Sequence, residues 1–160
     1  MTTIQIAPVR KTLTVKAPVS HAFRVFTDGI DTWWPRTHHT GKTPMTRNVI
    51  EGRIGGRCYS EHQDGAQCDW GSVQVWDPPH RFVMAWMLSP AWQYEPDLAK
   101  ASEVEVRFTE EGGGLTRVDL EHRHFERCGE GAETLRTAVD SSGGWTGLLD
   151  GFRAKAEAAQ

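Results

Sequence analysis

Cysteine is scarce in this chain. The three present, Cys58, Cys68 and Cys128, are odd in number and show no CxxC spacing. That argues against a disulfide framework and a thiolate zinc site, and leaves reduced thiols in a cytoplasmic setting as the expectation. Long apolar runs are missing as well. The longest, Phe82 to Leu88, is far short of the roughly 20 residues that a membrane-spanning helix needs; it suits a buried strand. Met1 to Pro8 has neither a basic start nor a long apolar run, so no leader peptide is expected. Positive charge is not in excess: 18 Lys and Arg stand against 21 Asp and Glu, a formal net charge of −3. No basic stripe offers itself to nucleic acid. There is no GxSxG elbow, no HExxH and no phosphate-cradling loop; Gly112-Gly113-Gly114 reads as a turn, because no helix follows it. No repeat or linker interrupts the sequence, and 160 residues suit a single domain spanning 1–160.

What the chain has in quantity is tryptophan: seven, at 33, 34, 70, 76, 86, 92 and 145. Each supplies a large apolar surface with one polar handle, so some belong to a core and some can line a cavity. The clearest helix lies near the C-terminus. Trp145, Leu148, Leu149, Phe152 and Ala156 recur at helical spacing on one face, with Asp150, Arg153 and Glu157 elsewhere. Gly147 and Gly151 are poor helix formers and allow another backbone or a ligand to come close. Glu133 to Val139 reads as the first turns of this helix, with Leu135, Ala138 and Val139 inward.

The rest is mostly strands. Val9 to Lys16 alternates strictly, with Val9, Lys11, Leu13 and Val15 on one face. Two short helices follow, Val19 to Phe26 and Ile30 to Pro35, broken by Asp28-Gly29. Strands are then expected at Arg47–Glu51, Arg57–His62, Asp69–Trp76, Arg81–Leu88, Glu103–Phe108 and Leu115–Phe125. The turns between them carry Gly55-Gly56, Asp64-Gly65, Asp77-Pro78-Pro79 and the glycine triplet. Alternation places Gly71, Val73 and Val75 on one face; it likewise groups Phe82, Met84, Trp86 and Leu88. Val104, Val106 and Phe108 form a third set, and Thr116, Val118, Leu120, His122 and His124 a fourth. Strands joined by short turns imply an antiparallel meander, and its apolar face needs a cover that only the final helix is long enough to give.

This order of elements resembles the helix-grip fold of the START-like (SRPBCC) superfamily. The carriers are Ala17-Pro18 with Val19 and Phe23, Gly55-Gly56-Arg57, Trp70-Gly71-Ser72-Val73 and Asp77-Pro78-Pro79-His80-Arg81 leading to Trp86. Ser102 to Phe108, Leu120-Glu121-His122-Arg123, and Gly143-Gly144-Trp145 with Leu148, Leu149 and Phe152 complete them. Within the superfamily the chain is similar to the bacterial branch related to the C-terminal domain of the heat-shock ATPase activator. The resemblance implies an α+β fold: a curved antiparallel sheet of six or seven strands wrapped around a long C-terminal helix, with two short helices after the first strand. It does not imply one function, because the superfamily includes lipid and hormone binders, polyketide cyclases and co-chaperone domains.

A strongly curved sheet gripping one helix leaves space between them, and that space is the candidate pocket. Helical spacing puts Trp145 and Leu149 on its wall; strand alternation adds Met84, Trp86, Val106 and His122; the resemblance adds Trp34 and Tyr59. A mostly apolar wall with one titratable group is the composition of a small-molecule site. Binding of a hydrophobic or aromatic small molecule is therefore the expected function. The alternatives are an interaction protein, as in the activator relatives, with another protein as partner, and a cyclase-like or hydrolase-like enzyme using His122 as acid or base. No catalytic residue, cofactor or metal is assigned. His122 and His124, two apart on a strand, lack an evident third ligand, and His38-His39 reads as a solvated loop.

Overall fold

A computed structural model describes residues 6–158; Met1 to Gln5, part of the stretch read above for a leader, lie outside it. The chain runs β1 (Val9–Val15), α1 (Val19–Phe26), a 3-10 turn (Ile30–Thr32), β2 (Met45–Ile50), β3 (Arg57–His62) and β4 (Gln67–Asp77). It continues through β5 (Arg81–Trp86), β6 (Ser102–Gly112), β7 (Leu115–Arg123), α2 (Ala132–Asp140) and α3 (Trp145–Glu157). The seven strands form one antiparallel sheet in the order β1-β7-β6-β5-β4-β3-β2. The sheet curls around α3, as the helix-grip fold requires.

Local sequence accounts for most of these elements. In α3, Trp145, Leu148, Leu149, Phe152 and Ala156 are all buried. Their helical spacing lays one stripe on the sheet, and packing rather than propensity holds a helix containing two glycines. Val104, Val106 and Phe108 of β6, and Val118 and Leu120 of β7, are buried on the same side. Phe26 meets Phe152 at 4.9 Å between ring centroids, and Phe23 meets Phe108 at 5.2 Å. Each such ring, fully buried, contributes about 1.5–3 kcal/mol. Gly151 bears out the close-approach reading: a Cβ there would lie 3.3 Å from the Trp33 carbonyl oxygen.

The second short helix is only the 3-10 turn Ile30–Thr32, and the strands expected to reach Leu88 and Phe125 end at Trp86 and Arg123; two other expectations fail for non-local reasons. The final helix does not begin at Glu133. α2 is a separate helix, and the chain doubles back at residues 141–144, where a Cβ on Gly144 would collide with the Val139 carbonyl. Nor is the alternation along β4 strict. Register shifts lie between Cys58 and Tyr59 on the β3 side and between Val73 and Val75 on the β5 side. Each extra residue in a strand flips the faces that follow. Val75 therefore leaves the face of Val73, and Trp76 packs on Phe23 instead, at 5.1 Å. Trp70 comes to the inner face beside Gly71.

On the convex face Glu105 is buried with Arg81, Arg107 and Arg123 around it. Burial opposes its ionisation, but the hydrogen bonds from the three guanidinium groups outweigh it and hold the carboxyl at about 2.

Candidate functional site

The lower body of the grip is filled by side chains. At the N-terminal end of α3 the filling stops and a cavity of about 390 Å³ opens, within the span of about 300–1,000 Å³ usual for small-molecule sites. β3, β4 and β5 give it Ser60, Trp70 and Trp86; the loop 37–40 and the α2–α3 junction close two further sides. The doubling back at 141–144 shapes this end, because it lifts α2 off the line of α3.

Four indoles pack against one another in a ring of contacts and form one aromatic wall of the space. Trp34 stacks on Trp70 at 5.6 Å with 15° between planes. Trp70 meets Trp86 at 5.9 Å, Trp86 meets Trp145 at 5.8 Å, and Trp145 returns to Trp34 at 6.3 Å. Three of the four N–H groups are anchored: Trp34 donates to the His38 carbonyl, Trp70 to Asn48 Oδ1 and Trp145 to His122 Nδ1. Among the described residues the buried Nε1 of Trp86 has no partner. Anchored rings cannot easily rotate away, so the wall is preorganised. Trp92, 44% exposed and with φ of 60°, stands at the mouth on the turn 89–95.

Of the eight residues read from the sequence as a wall, Trp34, Trp86 and Trp145 line this cavity. Met84, Val106 and Leu149 do not; they are buried in the core, where α1 and the middle of α3 already cover the sheet. Tyr59 is on the opposite face. Cys58 and Ser60 point inward, so alternation sends Tyr59 outward, where the Arg57 guanidinium sits 4.2 Å above its ring. His122 lies one layer behind the wall, touching Trp86 and Trp145.

The hydrogen bonds of His122 speak against the acid–base role that the enzyme alternative gave it. Trp145 Nε1–H can only donate, so Nδ1 accepts at 3.1 Å; Nε2 then carries the proton and donates to Ser102 Oγ at 2.8 Å. Both nitrogens are engaged, the side chain is fully buried, and burial pushes its pKa down to about 3. His122 is neutral across the physiological range and positions Trp145. His124 does not share its face, since β7 ends at Arg123 and His124 turns away with φ of 64°. Among the described residues no cluster of three or more His, Cys, Asp or Glu is placed to hold a metal ion.

Sequence reasoning missed Trp70, hidden by the bulge, and the loop 37–40. His38 is exposed, yet its Nε2–H reaches across to donate to the Gly143 carbonyl at 2.8 Å, tying the loop to the start of α3. Only the run of histidine beside Trp33-Trp34 hinted at this. No helix among the described residues is long and apolar enough to cross a membrane.

Comparison with known proteins agrees with this architecture. The family described as activator of Hsp90 ATPase homolog 1-like protein matches residues 16–157. No curated protein matches the chain. Among solved structures, an anthrahydroquino-gamma-pyrone synthase, Txn09, is 40% identical, with 94% of this chain and 97% of that one covered and a TM-score of 0.66. The self-sacrificing resistance protein CalC from Micromonospora echinospora is 30% identical over 93% of both chains, with a TM-score of 0.67. The Aha1 dimer from Colwellia psychrerythraea, at 15% identity and a TM-score of 0.61 over 96% of this chain and 98% of that one, shares the fold.

Proposed function

The chain belongs to the activator of Hsp90 ATPase homolog 1-like family, within the START-like superfamily, and from that membership we propose that it binds a flat, polycyclic aromatic small molecule between the sheet and the start of α3. The observation that carries this is the packed cluster of Trp34, Trp70, Trp86 and Trp145 that forms one wall of a cavity of about 390 Å³. Indole faces favour offset-stacked and edge-to-face partners, and an aliphatic ligand would use little of that geometry. The synthase at 40% identity bears a name that denotes a fused aromatic product, which agrees in ligand class.

A second reading, that the protein is itself a synthase-type enzyme, is favoured by that same relative. It would use the same cavity, but not His122. The interaction-protein reading rests on the family and on a 15% identical fold neighbour, with no surface feature that singles out a partner. A cytoplasmic setting is the reading that three free cysteines support.

The test is titration with anthraquinone, followed by quenching of tryptophan fluorescence and by calorimetry. We expect saturable one-site binding, weakened about tenfold or more by Trp86→Ala or Trp70→Leu, since each removes a ring of the wall. Absence of both quenching and heat up to the solubility limit would refute the proposal.

A further inference from the structure

One corner of the tryptophan-lined cavity is polar. Ser60 projects from β3, lines the cavity and is 3% exposed. Its Oγ lies 2.8 Å from Nε2 of His62, two residues along the same strand and on the same face. The other ring nitrogen, Nδ1, lies 2.9 Å from the Thr43 carbonyl oxygen. A carbonyl can only accept, so Nδ1 carries the proton. In the neutral ring Nε2 is then a bare acceptor, and Ser60 Oγ–H donates to it. The alternative acceptor for Ser60, the Cys68 carbonyl, is at 3.5 Å and is the weaker bond.

The loop 39–43 locks this arrangement. Gly41 packs so closely on the His62 ring that a Cβ there would collide with it, and the His39 ring stands 4.9 Å away. Asp64 is the charged group that interacts with His62. A hydroxyl bonded to a base, with the base oriented by a third group, is the arrangement of an activated proton acceptor.

The consequence for a ligand is directional. With its proton committed to His62, Ser60 presents only lone pairs to the cavity. It therefore suits a ligand group that donates and cannot satisfy a bare carbonyl. A separate observation lies one cross-strand position away. Asn48 pairs with Ser60 across β2 and β3 and is 3% exposed. Its Oδ1 accepts from Trp70 Nε1, which leaves Nδ2 a buried donor with no partner among the described residues. Leaving such a donor unsatisfied costs about 1–3 kcal/mol; Asn48 is not among the residues that line the cavity, so it supports Trp70 and takes no part in the pair.

We infer that Ser60 and His62 form a proton-accepting pair that recognises and polarises a phenolic hydroxyl on the aromatic ligand. The inference rests on the proposed aromatic-binding function and names the substituent that the ligand carries. The step balances: the phenol proton passes to Ser60 Oγ, the serine proton passes to His62 Nε2, and a phenolate faces an imidazolium, with no change in total charge. Such a pair supplies the general base that His122 cannot be.

The test uses the full chain with 2-hydroxyanthraquinone, 2-methoxyanthraquinone and unsubstituted anthraquinone. The hydroxy compound should bind about tenfold more tightly than the methoxy compound, the ratio expected for one added hydrogen bond to a preformed acceptor. Its visible absorption should move toward that of the phenolate on binding, at a pH where the free compound is the phenol. Ser60→Ala and, separately, His62→Gln should bring the binding ratio within about twofold and abolish the spectral change. Equal binding of all three compounds to the unaltered protein, without a spectral change, overturns this inference and leaves the aromatic-binding reading standing. Failure of all three to bind overturns both. If one variant does not fold, the other and the unaltered protein still decide, because the preference and the spectral change are read without either substitution.

Discussion

Acid should weaken this fold through one buried imidazole. His122 is neutral in the folded state because burial pushes its pKa down to about 3. In the unfolded chain it takes up a proton near the ordinary value of about 6.5. The unfolded state therefore binds more protons in the window between these values, and stability must rise with pH there. The contribution is fully present above about pH 6.5 and falls by about 1.4 kcal/mol per pH unit below it, levelling off only near the folded value. Between about pH 7.5 and about pH 5 the loss due to His122 comes to about 2 kcal/mol. The geometry says why the folded protein resists the proton. A charged ring would turn Nδ1 into a donor facing the donor of Trp145, at 3.1 Å, in a fully buried position. Urea unfolding, followed by tryptophan fluorescence at both pH values, measures the loss directly. For a slope of about 1–3 kcal/mol per molar urea, the midpoint should drop by about 1 M. Glutamine offers an acceptor and a donor but does not titrate, so His122→Gln should lose about 2 kcal/mol less than the unaltered protein over the same interval, whatever its absolute stability. An equal loss in both proteins would refute the reasoning, and so would no loss in the unaltered one. Ligand affinity should change little through His122 itself between about pH 8 and about pH 5, since its titration lies below that range.

Two further outcomes follow from the packing. Glu105→Gln should cost about 1–3 kcal/mol in urea unfolding: the three arginines lose their shared carboxylate but are themselves partly exposed. Because the folded carboxyl is held at about 2, its contribution is present above about pH 4.3 and is lost as pH falls toward about 2, a loss that the variant should lack. Gly147→Ala should lower the unfolding midpoint, although an alanine inside a helix ordinarily adds about 1 kcal/mol, because the new Cβ would collide with the Ser142 carbonyl; a raised midpoint would show that the turn before α3 has room to give.

How much of this was legible in the sequence depends on the range over which each feature is decided. The spacing of Trp145, Leu148, Leu149, Phe152 and Ala156 fixes a buried helical face wherever the helix goes, and the alternation of Val104, Val106 and Phe108 fixes a strand face in the same way. Those local periods, with the turn glycines, were enough for the helix-grip architecture, and for Trp86 and Trp145 at the cavity; Trp34 came from the family resemblance. Tertiary structure alone decided the rest. A bulge exists only against a partner strand, so the turning of Trp70 inward and Trp76 onto the core could not be read along β4 by itself. The turn before α3 depends on two carbonyls, those of Val139 and Ser142, for which Gly144 and Gly147 respectively leave room. Hydrogen-bond direction is also a tertiary property. His122 and His62 are the same residue type, each on a strand and each beside a serine hydroxyl in space. His122 has its second nitrogen on the Trp145 N–H and stands behind the wall as a fixed support. His62 has its second nitrogen on a backbone carbonyl, which turns its free lone pair toward Ser60 and the cavity, because a carbonyl can take a proton bond and an indole can only give one.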